Sequence, residues 1–277
     1  MQWKQWLGTG WAAATLLLLL SAPGAAQLKT DVVTVNVRPG ATMKYLEIAA
    51  DEQPKAAVVL MAGGKGVLAL RPSGEISTDL NLNFLMRVRE QFAREGMAVA
   101  ALDVASDQMG GLNGDIRLSA QHAQDIVKVI ADFRKRHKVP VWLVGTSAST
   151  ISAVSVAARF PNSKSGGPDG IVLTSSLTVL AKGLCGRSIY FAPLANIRGP
   201  VLSIGHEKDA CPCSPGGTAV GRKMMAALKQ SSRKEHKVWT GGDPPVSKEP
   251  CWARTPHGFL GVENDVVKTI ATWIMQP

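Results

Sequence analysis

A serine lies between an apolar run and a helix-like stretch in the segment Val141–Thr150. The residues around Ser147 are small, with Gly145 two positions before it and Ser149 two positions after it. A serine on such a sharp strand-to-helix turn presents its hydroxyl above a parallel sheet, and small neighbours let the strand and the helix pack closely beneath it. Ser147 is therefore the first candidate for a catalytic nucleophile.

An aspartate and a histidine follow Ser147 in the order that one known type of catalytic triad uses. Asp209 comes after a further apolar run, and His257 lies in a Pro-His-Gly segment near the end of the chain. An imidazole has a pKa near neutrality, so it can take the serine proton and return it to a leaving group. We expect Asp209 to orient that ring, with Asp103 and Asp243 as fallback acids.

Residues 1–26 have the organisation of a secretory signal peptide. Lys4 precedes an apolar stretch that includes the leucines at 16 to 20, and small residues follow as far as Ala26. The apolar stretch is shorter than the roughly 20 residues that a membrane span needs. We expect cleavage after Ala26 and export to the periplasm or the medium, with an uncleaved anchor as the alternative. No other segment is apolar enough to cross a bilayer.

The chain contains four cysteines, and an even number in an exported protein favours two disulfides. Cys211 and Cys213 are too close in sequence to pair easily with each other. Each is expected to pair with Cys185 or Cys251, in either combination. A zinc site at Cys211 and Cys213 is the rival interpretation, but the usual ligand spacing and a matching second pair are missing. Ser147, Asp209 and His257 suffice for the expected chemistry, so we predict no metal and no organic cofactor.

The formal net charge of +10 does not point to a nucleic-acid partner. Part of the excess of basic residues lies at the end of a predicted helix, as in Arg134–Lys138, where cations complement the helix dipole. Solvated faces and helix ends therefore explain the charge. The length of the chain after the leader suits one α/β domain with a large core, so we predict a single domain over residues 27–277.

Hydrophobic periodicity predicts strands that alternate with helices. Alternating residues over 31–37 and 43–48 indicate an antiparallel hairpin, and the continuous apolar run Ala56–Met61 indicates a strand buried on both faces. The later elements are predicted, in chain order, as helix 80–94, strand 97–102, helix 118–137, the strand from 141, a helix ending at 159, strands 171–174 and 201–205, helix 217–229, strand 237–240 and helix 262–275. This order implies an α/β fold with a mostly parallel central sheet and helices on both faces.

The whole pattern resembles the α/β-hydrolase family over almost the full length after the leader. The G-x-S-x-G elbow of that family stands here as Gly145–Ser149, with a serine in the fifth place. The resemblance implies the α/β-hydrolase fold for residues 27–277, with a short cap insertion at about 175–199. The apolar residues of this insertion are candidates for a pocket wall or for the core: Leu177, Val179, Leu180, Leu184, Tyr190 and Phe191.

The resemblance also implies an oxyanion hole and a function. Its backbone N–H groups would come from Ala148 and from Gly64, with Lys65 as the alternative to Gly64. The implied activity is hydrolysis of a carboxylic ester, with a small ester or acyl compound as substrate and an acyl-enzyme as intermediate. An amidase or peptidase of the same fold is the first alternative. A noncatalytic envelope binding protein on this scaffold is the second.

Overall fold

A computed structural model describes residues 27–50, 53–179 and 185–276 of the chain. The predicted signal peptide, residues 1–26, lies outside the described residues, so its prediction is untested. Within these three ranges, no helix has the length and apolar character that crossing a membrane requires.

The central feature is a sheet of eight strands within the described residues. In chain order the strands are β1 (Leu28–Arg38), β2 (Ala41–Ala50), β3 (Ala56–Met61), β4 (Met97–Ala105), β5 (Val141–Thr146), β6 (Gly170–Thr174), β7 (Val201–His206) and β8 (Lys234–Trp239). Their spatial order is β1-β2-β4-β3-β5-β6-β7-β8. The pairs β1/β2 and β2/β4 are antiparallel, and the other neighbours are parallel. The predicted sheet, mostly parallel with an antiparallel N-terminal hairpin, is confirmed.

Seven α-helices in the described ranges cover the two faces of the sheet. They are α1 (Phe84–Arg87), α2 (Arg89–Arg94), α3 (Gly114–Leu118), α4 (Ala120–His137), α5 (Ser149–Arg159), α6 (Thr218–Ala227) and α7 (Glu263–Met275). One core lies between the sheet and the side that carries α4, α5 and α6. The other lies between the sheet and the side that carries α1, α2 and α7. The prediction of helices on both faces is confirmed.

The strand β3 lies inside the sheet and is buried on both faces. All six of its residues are buried. Because side chains alternate along a strand, Val59 and Met61 point into one core while Val58 and Leu60 point into the other. The parallel strands β3, β5 and β7 end at the same edge of the sheet. The segments that follow them, including Gly64, Ser147 and Asp209, are therefore brought to one side of the molecule.

The predicted single helix over residues 80–94 is wrong. A short 3-10 turn, Asp79–Leu82, is followed by α1 and α2, which are separate short helices. Asn83 has an extended backbone, and its side chain accepts a hydrogen bond from the N–H of Leu85 at 3.2 Å, which starts α1 afresh. The apolar spacing is helical, but the chain turns at Asn83, and this turn forms one wall of the site described below.

Candidate active site

Ser147 lies in the turn between β5 and α5 with a left-handed backbone, at a φ of 54°. A residue other than glycine adopts this conformation at a cost, and such strain is concentrated at functional sites. Its N–H donates to the carbonyl of Thr174 at 3.0 Å, which anchors the turn to the neighbouring strand. Ser147 itself is partly exposed, whereas the residues that follow it in α5 are buried. The predicted strand-to-helix turn is present.

The glycine at position 145 is needed by the turn. A Cβ at this position would lie 2.8 Å from the carbonyl oxygen of Ser149 and 3.1 Å from the nitrogen of Thr150. Both are backbone atoms of α5, so they could not move aside without displacing the helix. Gly145 therefore lets β5 and α5 approach closely beneath Ser147.

The serine at position 149 replaces the usual glycine of the elbow motif, and the structure gives this side chain a role. Ser149 is fully buried. Its hydroxyl accepts from the N–H of Thr146 at 2.8 Å and lies 2.6 Å from the carbonyl oxygen of Met61. It thus joins the end of β5 to the end of β3. Because the hydroxyl is enclosed and engaged, Ser149 is unsuited to act as a nucleophile.

The side chains of Asp209 and His257 meet in a buried hydrogen bond. Nδ1 of His257 lies 2.9 Å from Oδ2 of Asp209, and the two residues are 4% and 7% exposed. The other carboxylate oxygen of Asp209 accepts from the N–H of Cys211 at 2.9 Å. Within the described residues, Nε2 of His257 has no hydrogen-bond partner. The ring is therefore held from one side and leaves its second nitrogen available to Ser147, which lines the same cavity.

A second hydroxyl, that of Ser214, lies beside this pair. Its Oγ donates to Oδ2 of Asp209 at 3.1 Å and is 2.9 Å from Nδ1 of His257. Ser214 is also buried. Sequence reasoning missed this residue, because a serine five positions after an aspartate carries no signal of its own. Its effect is to fix the position of the Asp209 carboxylate beside Nδ1 of the imidazole.

The backbone of the histidine is fixed from two directions. The hydroxyl of Ser175, just after β6, donates to the carbonyl of His257 at 2.7 Å. Thr255 caps the short 3-10 turn Pro256–Gly258 and accepts from the N–H of His257 at 3.2 Å. Sequence analysis placed His257 in a Pro-His-Gly segment near the end of the chain but did not predict the bond from Ser175, which joins segments 82 positions apart.

The glycine loop after β3 lies directly against the serine turn. A Cβ on Gly63 would be 3.0 Å from the Cβ of Ser147. Gly64 has a φ of 54° and lines the same cavity as Ser147. Ala148 stands at the N-cap of α5, where unpaired N–H groups favour negative charge. The assignment of Gly64 and Ala148 as oxyanion donors remains a prediction.

The fallback acids do not contact His257. Both carboxylate oxygens of Asp103 accept backbone N–H groups, at 2.8 Å from Leu68 and 2.9 Å from Leu70. Asp243 is exposed, and its N–H donates to the carbonyl of Leu260. Asp209 is the carboxylate that the fold brings to the ring.

Comparisons with known proteins support the fold that this arrangement suggests. A dienelactone hydrolase from Anabaena variabilis superposes with a TM-score of 0.63 at 16% identity, covering 90% of this chain and 98% of that one. One of two fungal esterases from Rhizomucor miehei gives a TM-score of 0.58 at 15% identity, covering 91% and 83%. An esterase from Pyrococcus furiosus gives 0.57 at 14% identity, covering 90% and 94%. This chain has the α/β-hydrolase fold. No protein-family profile matches it, and no curated protein sequence does.

A cavity of about 610 Å³ opens over the serine turn of this α/β-hydrolase fold. One wall comes from the turn before and into α1, where Leu80, Leu82 and Phe84 line it. A second wall comes from the loop before His257, with Val246 and Trp252. Leu82, Val246 and Trp252 are 47%, 60% and 61% exposed. Each wall therefore includes at least one exposed apolar side chain.

The walls come from other segments than the insertion at 175–199. None of its described residues is among those that line the cavity. Leu177 and Leu194 are buried in the core beside α5, and Phe191 is exposed elsewhere. Leu180 and Leu184 lie outside the described residues. The function of this insertion as a cap stays a prediction.

A half-buried arginine joins the two walls. Arg87 donates to the carbonyl of Leu82 at 2.5 Å on one wall, and to those of Ala253 at 2.9 Å and Gly258 at 3.0 Å on the other. It also forms an ion pair with Glu263 at 2.6 Å. No sequence pattern identified Arg87, because its partners on the second wall are backbone carbonyls about 170 positions away. It therefore connects the two segments that form the walls.

Two disulfides are present, one between Cys185 and Cys213 and one between Cys211 and Cys251. Both fit the expectation that Cys211 and Cys213 pair with distant cysteines, and they decide which pairs with which. Cys211 follows Asp209 by two positions, and Cys251 lines the cavity. This disulfide therefore connects the loop that carries Asp209 to the cavity-lining segment that precedes His257. In the described residues, no group of histidine, cysteine and acidic side chains is arranged to hold a metal.

Substitution of Gly145 by alanine should destabilise the fold. The added methyl group meets backbone atoms of α5 at 2.8 Å, so we expect the free energy of unfolding to fall by about 1–3 kcal/mol. Urea denaturation measures this. Gly110→Ala is the matched control, since nothing lies within 4 Å of its Cβ position. Equal midpoints for the two variants would contradict the close approach of β5 and α5.

Removal of the Cys211–Cys251 bridge should loosen the site. The double variant Cys211→Ser/Cys251→Ser opens a loop with a separation of 40 residues. We expect a loss of about 2–4 kcal/mol in the free energy of unfolding, because the unfolded chain regains conformational entropy. Urea denaturation without reductant measures the loss. The wild type without reductant is the comparison, and an unshifted midpoint in the double variant would reject the tether.

Proposed function

We propose that this protein is a serine hydrolase that cleaves carboxylic esters through an acyl-enzyme. The observation that supports this most directly is the buried hydrogen bond of 2.9 Å between His257 and Asp209, on the cavity that Ser147 also lines. A binding scaffold has no need of a left-handed serine, an unengaged imidazole nitrogen and a buried carboxylate around one cavity.

In the proposed first step, Oγ of Ser147 attacks the carbonyl carbon of the ester while Nε2 of His257 takes the hydroxyl proton. Asp209 holds the ring with its proton on Nδ1 and stabilises the imidazolium that forms. The tetrahedral intermediate carries its negative charge on the former carbonyl oxygen. The N–H groups of Gly64 and Ala148 stabilise that charge.

Collapse of the intermediate breaks the bond to the alcohol oxygen, and His257 delivers its proton to that leaving group. The acyl group remains on Ser147. A water molecule then attacks the acyl carbon while His257 takes its proton. The second tetrahedral intermediate releases the carboxylic acid and returns the proton to Ser147.

The walls of the cavity favour an ester with an apolar part. Leu80, Leu82 and Phe84 face one side of the space above Ser147, and Trp252 faces the other. An acyl chain or alcohol of moderate length would bury apolar area against these side chains. The dienelactone hydrolase and the esterases with the same fold act on esters, as their names state, and this supports the same substrate class.

We also propose that the protein works outside the cytoplasm. Two disulfides in the described residues are compatible with an oxidising compartment. The sequence of residues 1–26 supplies the export signal that such a location requires.

Ser147 is the site that a fluorophosphonate should label. We expect Ser147→Ala to abolish labelling and to lower kcat for p-nitrophenyl esters by about 10⁴-fold or more, since the nucleophile is removed. Gel fluorescence and a spectrophotometric assay measure these effects. Ser163→Ala changes an exposed serine and should retain both properties. Labelling that persists in Ser147→Ala would rule out this nucleophile, and an unlabelled wild type would favour the binding scaffold.

The aromatic wall should set the preferred chain length. Trp252→Ala is expected to lower kcat/KM for hexanoate and octanoate esters by about 10-fold, with a smaller effect on acetate, because apolar contact is lost. The p-nitrophenyl ester series measures this. Phe191→Ala removes an exposed aromatic residue that does not line the cavity and serves as control. A uniform effect across the series would contradict the assigned wall, and faster cleavage of p-nitroanilides would favour an amidase.

A further inference from the structure

A guanidinium group lies buried beneath the glycine loop. Arg117 belongs to α3 and is 2% exposed. Its Nη2 donates to the carbonyl oxygen of Gly64 at 2.8 Å, and its Nη1 donates to the hydroxyl of Ser152 at 3.1 Å. Nε of Arg117 has no hydrogen-bond partner within the described residues. This side chain thus joins α3 and α5 to the loop that lies against Ser147.

No acid among the described residues forms an ion pair with this guanidinium within 4 Å. Asp103 lines the same small internal cavity, but its carboxylate is engaged by the backbone N–H groups of Leu68, Leu70 and Val104. Burial lowers the pKa of Arg117 to about 10, so the group remains charged at neutral pH.

The neighbouring histidine does not share this charge. Nε2 of His122 lies 2.9 Å from Oγ of Ser152. Burial and the nearby Arg117 lower the pKa of His122 to about 3, so its ring is neutral. Ser152 accepts from Arg117 and can donate its own proton to His122. Arg117 is therefore the charged member of the group that it forms with Ser152 and His122.

A buried charge without an ion-pair partner is costly, and an apolar side chain of similar size would fill the same space without that cost. The position of Arg117 supplies a reason for it. Its hydrogen bond fixes the carbonyl of Gly64, which belongs to the same peptide as the N–H of Lys65 and directly follows the N–H of Gly64 in the loop. The guanidinium does not line the cavity above Ser147 and lies in a region of low dielectric, where its field is weakly screened.

We propose that Arg117 is a positioning residue of the oxyanion hole: through the Gly64 carbonyl it fixes the glycine loop that carries the N–H groups of Gly64 and Lys65, and it supplies positive potential to the negative charge that forms beside that loop. This inference rests on the proposed serine hydrolase function. Arg117 touches no substrate and acts through the loop. The negative charge exists in the tetrahedral intermediate and not in the bound ester, so the effect belongs to the chemical step.

The test compares Arg117→Met and Arg117→Lys with the wild type in ester hydrolysis. We expect Arg117→Met to lower kcat by about 10- to 100-fold with little change in KM, because a ground-state ester carries no oxyanion. Its affinity for an alkylboronic acid, which forms an anionic adduct with the serine, should fall in parallel. Arg117→Lys retains the charge and one donor and should recover most of kcat.

Ser152→Ala is the matched control, since it removes the other acceptor of Arg117 from the same buried network and leaves the Gly64 contact intact. We expect its kcat to remain within about twofold of the wild type. A kcat loss as large as that of Arg117→Met would overturn the inference, as would an Arg117→Met variant with unchanged kcat. If the wild type itself is neither labelled nor active, the proposed function falls, and this inference falls with it.

A crystal structure of the wild type with a phosphonate bound to Ser147 provides a measurement that does not depend on any variant folding. The phosphonyl oxygen should accept from the backbone N–H of Gly64 or Lys65 while Arg117 remains bonded to the Gly64 carbonyl. A phosphonyl oxygen that points away from this loop would overturn the inference.

Discussion

The left-handed backbone of Ser147 is the constraint on which the rest of the site depends. A conformation of this kind costs on the order of 1–3 kcal/mol and persists because the surrounding contacts allow no alternative. Here the absent side chain of Gly145 lets α5 approach, and the hydroxyl of Ser149 links the ends of β5 and β3. The carbonyl of Thr174, at the end of the neighbouring strand β6, accepts a hydrogen bond from the N–H of Ser147. The direction of the Ser147 side chain is thus a property of the sheet as a whole.

Short buried hydrogen bonds bring the other groups to the same place. Ser175 holds the backbone of His257, and Ser214 holds the carboxylate that faces its ring. In a region of low dielectric such bonds are strong, and the loss of any one of them would destabilise the folded state because it leaves a buried polar group without a partner. The segments they join are far apart in the chain, so each bond also fixes how one loop stands relative to another. Arg87 and the Cys211–Cys251 bridge do the same for the walls of the cavity.

Two arginines show how differently a guanidinium beside the cavity can be used. Arg87 is paired with Glu263 and spreads its donors over backbone carbonyls of both walls. Arg117 has no acid beside it and reaches the Gly64 loop instead. The paired group is suited to holding structure together, because its charge is neutralised locally. The unpaired group retains its field, and this is why its position under the proposed oxyanion hole matters.

Local patterning predicted the parts of this fold that depend on neighbours in sequence. The continuous apolar run of β3 and the small residues around Ser147 led to the right elements, because strand burial and turn sterics are short-range effects. The prediction of one helix over residues 80–94 was wrong. The apolar spacing is helical, but the helical backbone is interrupted at Asn83, which lines the cavity. The acid that pairs with the histidine was harder to predict. Asp209, Asp103 and Asp243 were all candidates in sequence, and the choice among them depends on which loop the sheet order brings to His257.

By itself the sequence determined the strand and helix alternation, the order of serine, acid and histidine, and the need for two cysteine pairs. Each of these follows from residue types and from spacing along the chain. Only the tertiary structure shows which cysteines pair and that residues 79–84 and 246–258 form the walls of the cavity. It alone also shows the contacts of Ser214, Arg87 and Arg117. Their contacts join segments that are distant in the chain and come together through packing of the sheet and its loops, so no local pattern of residues records them.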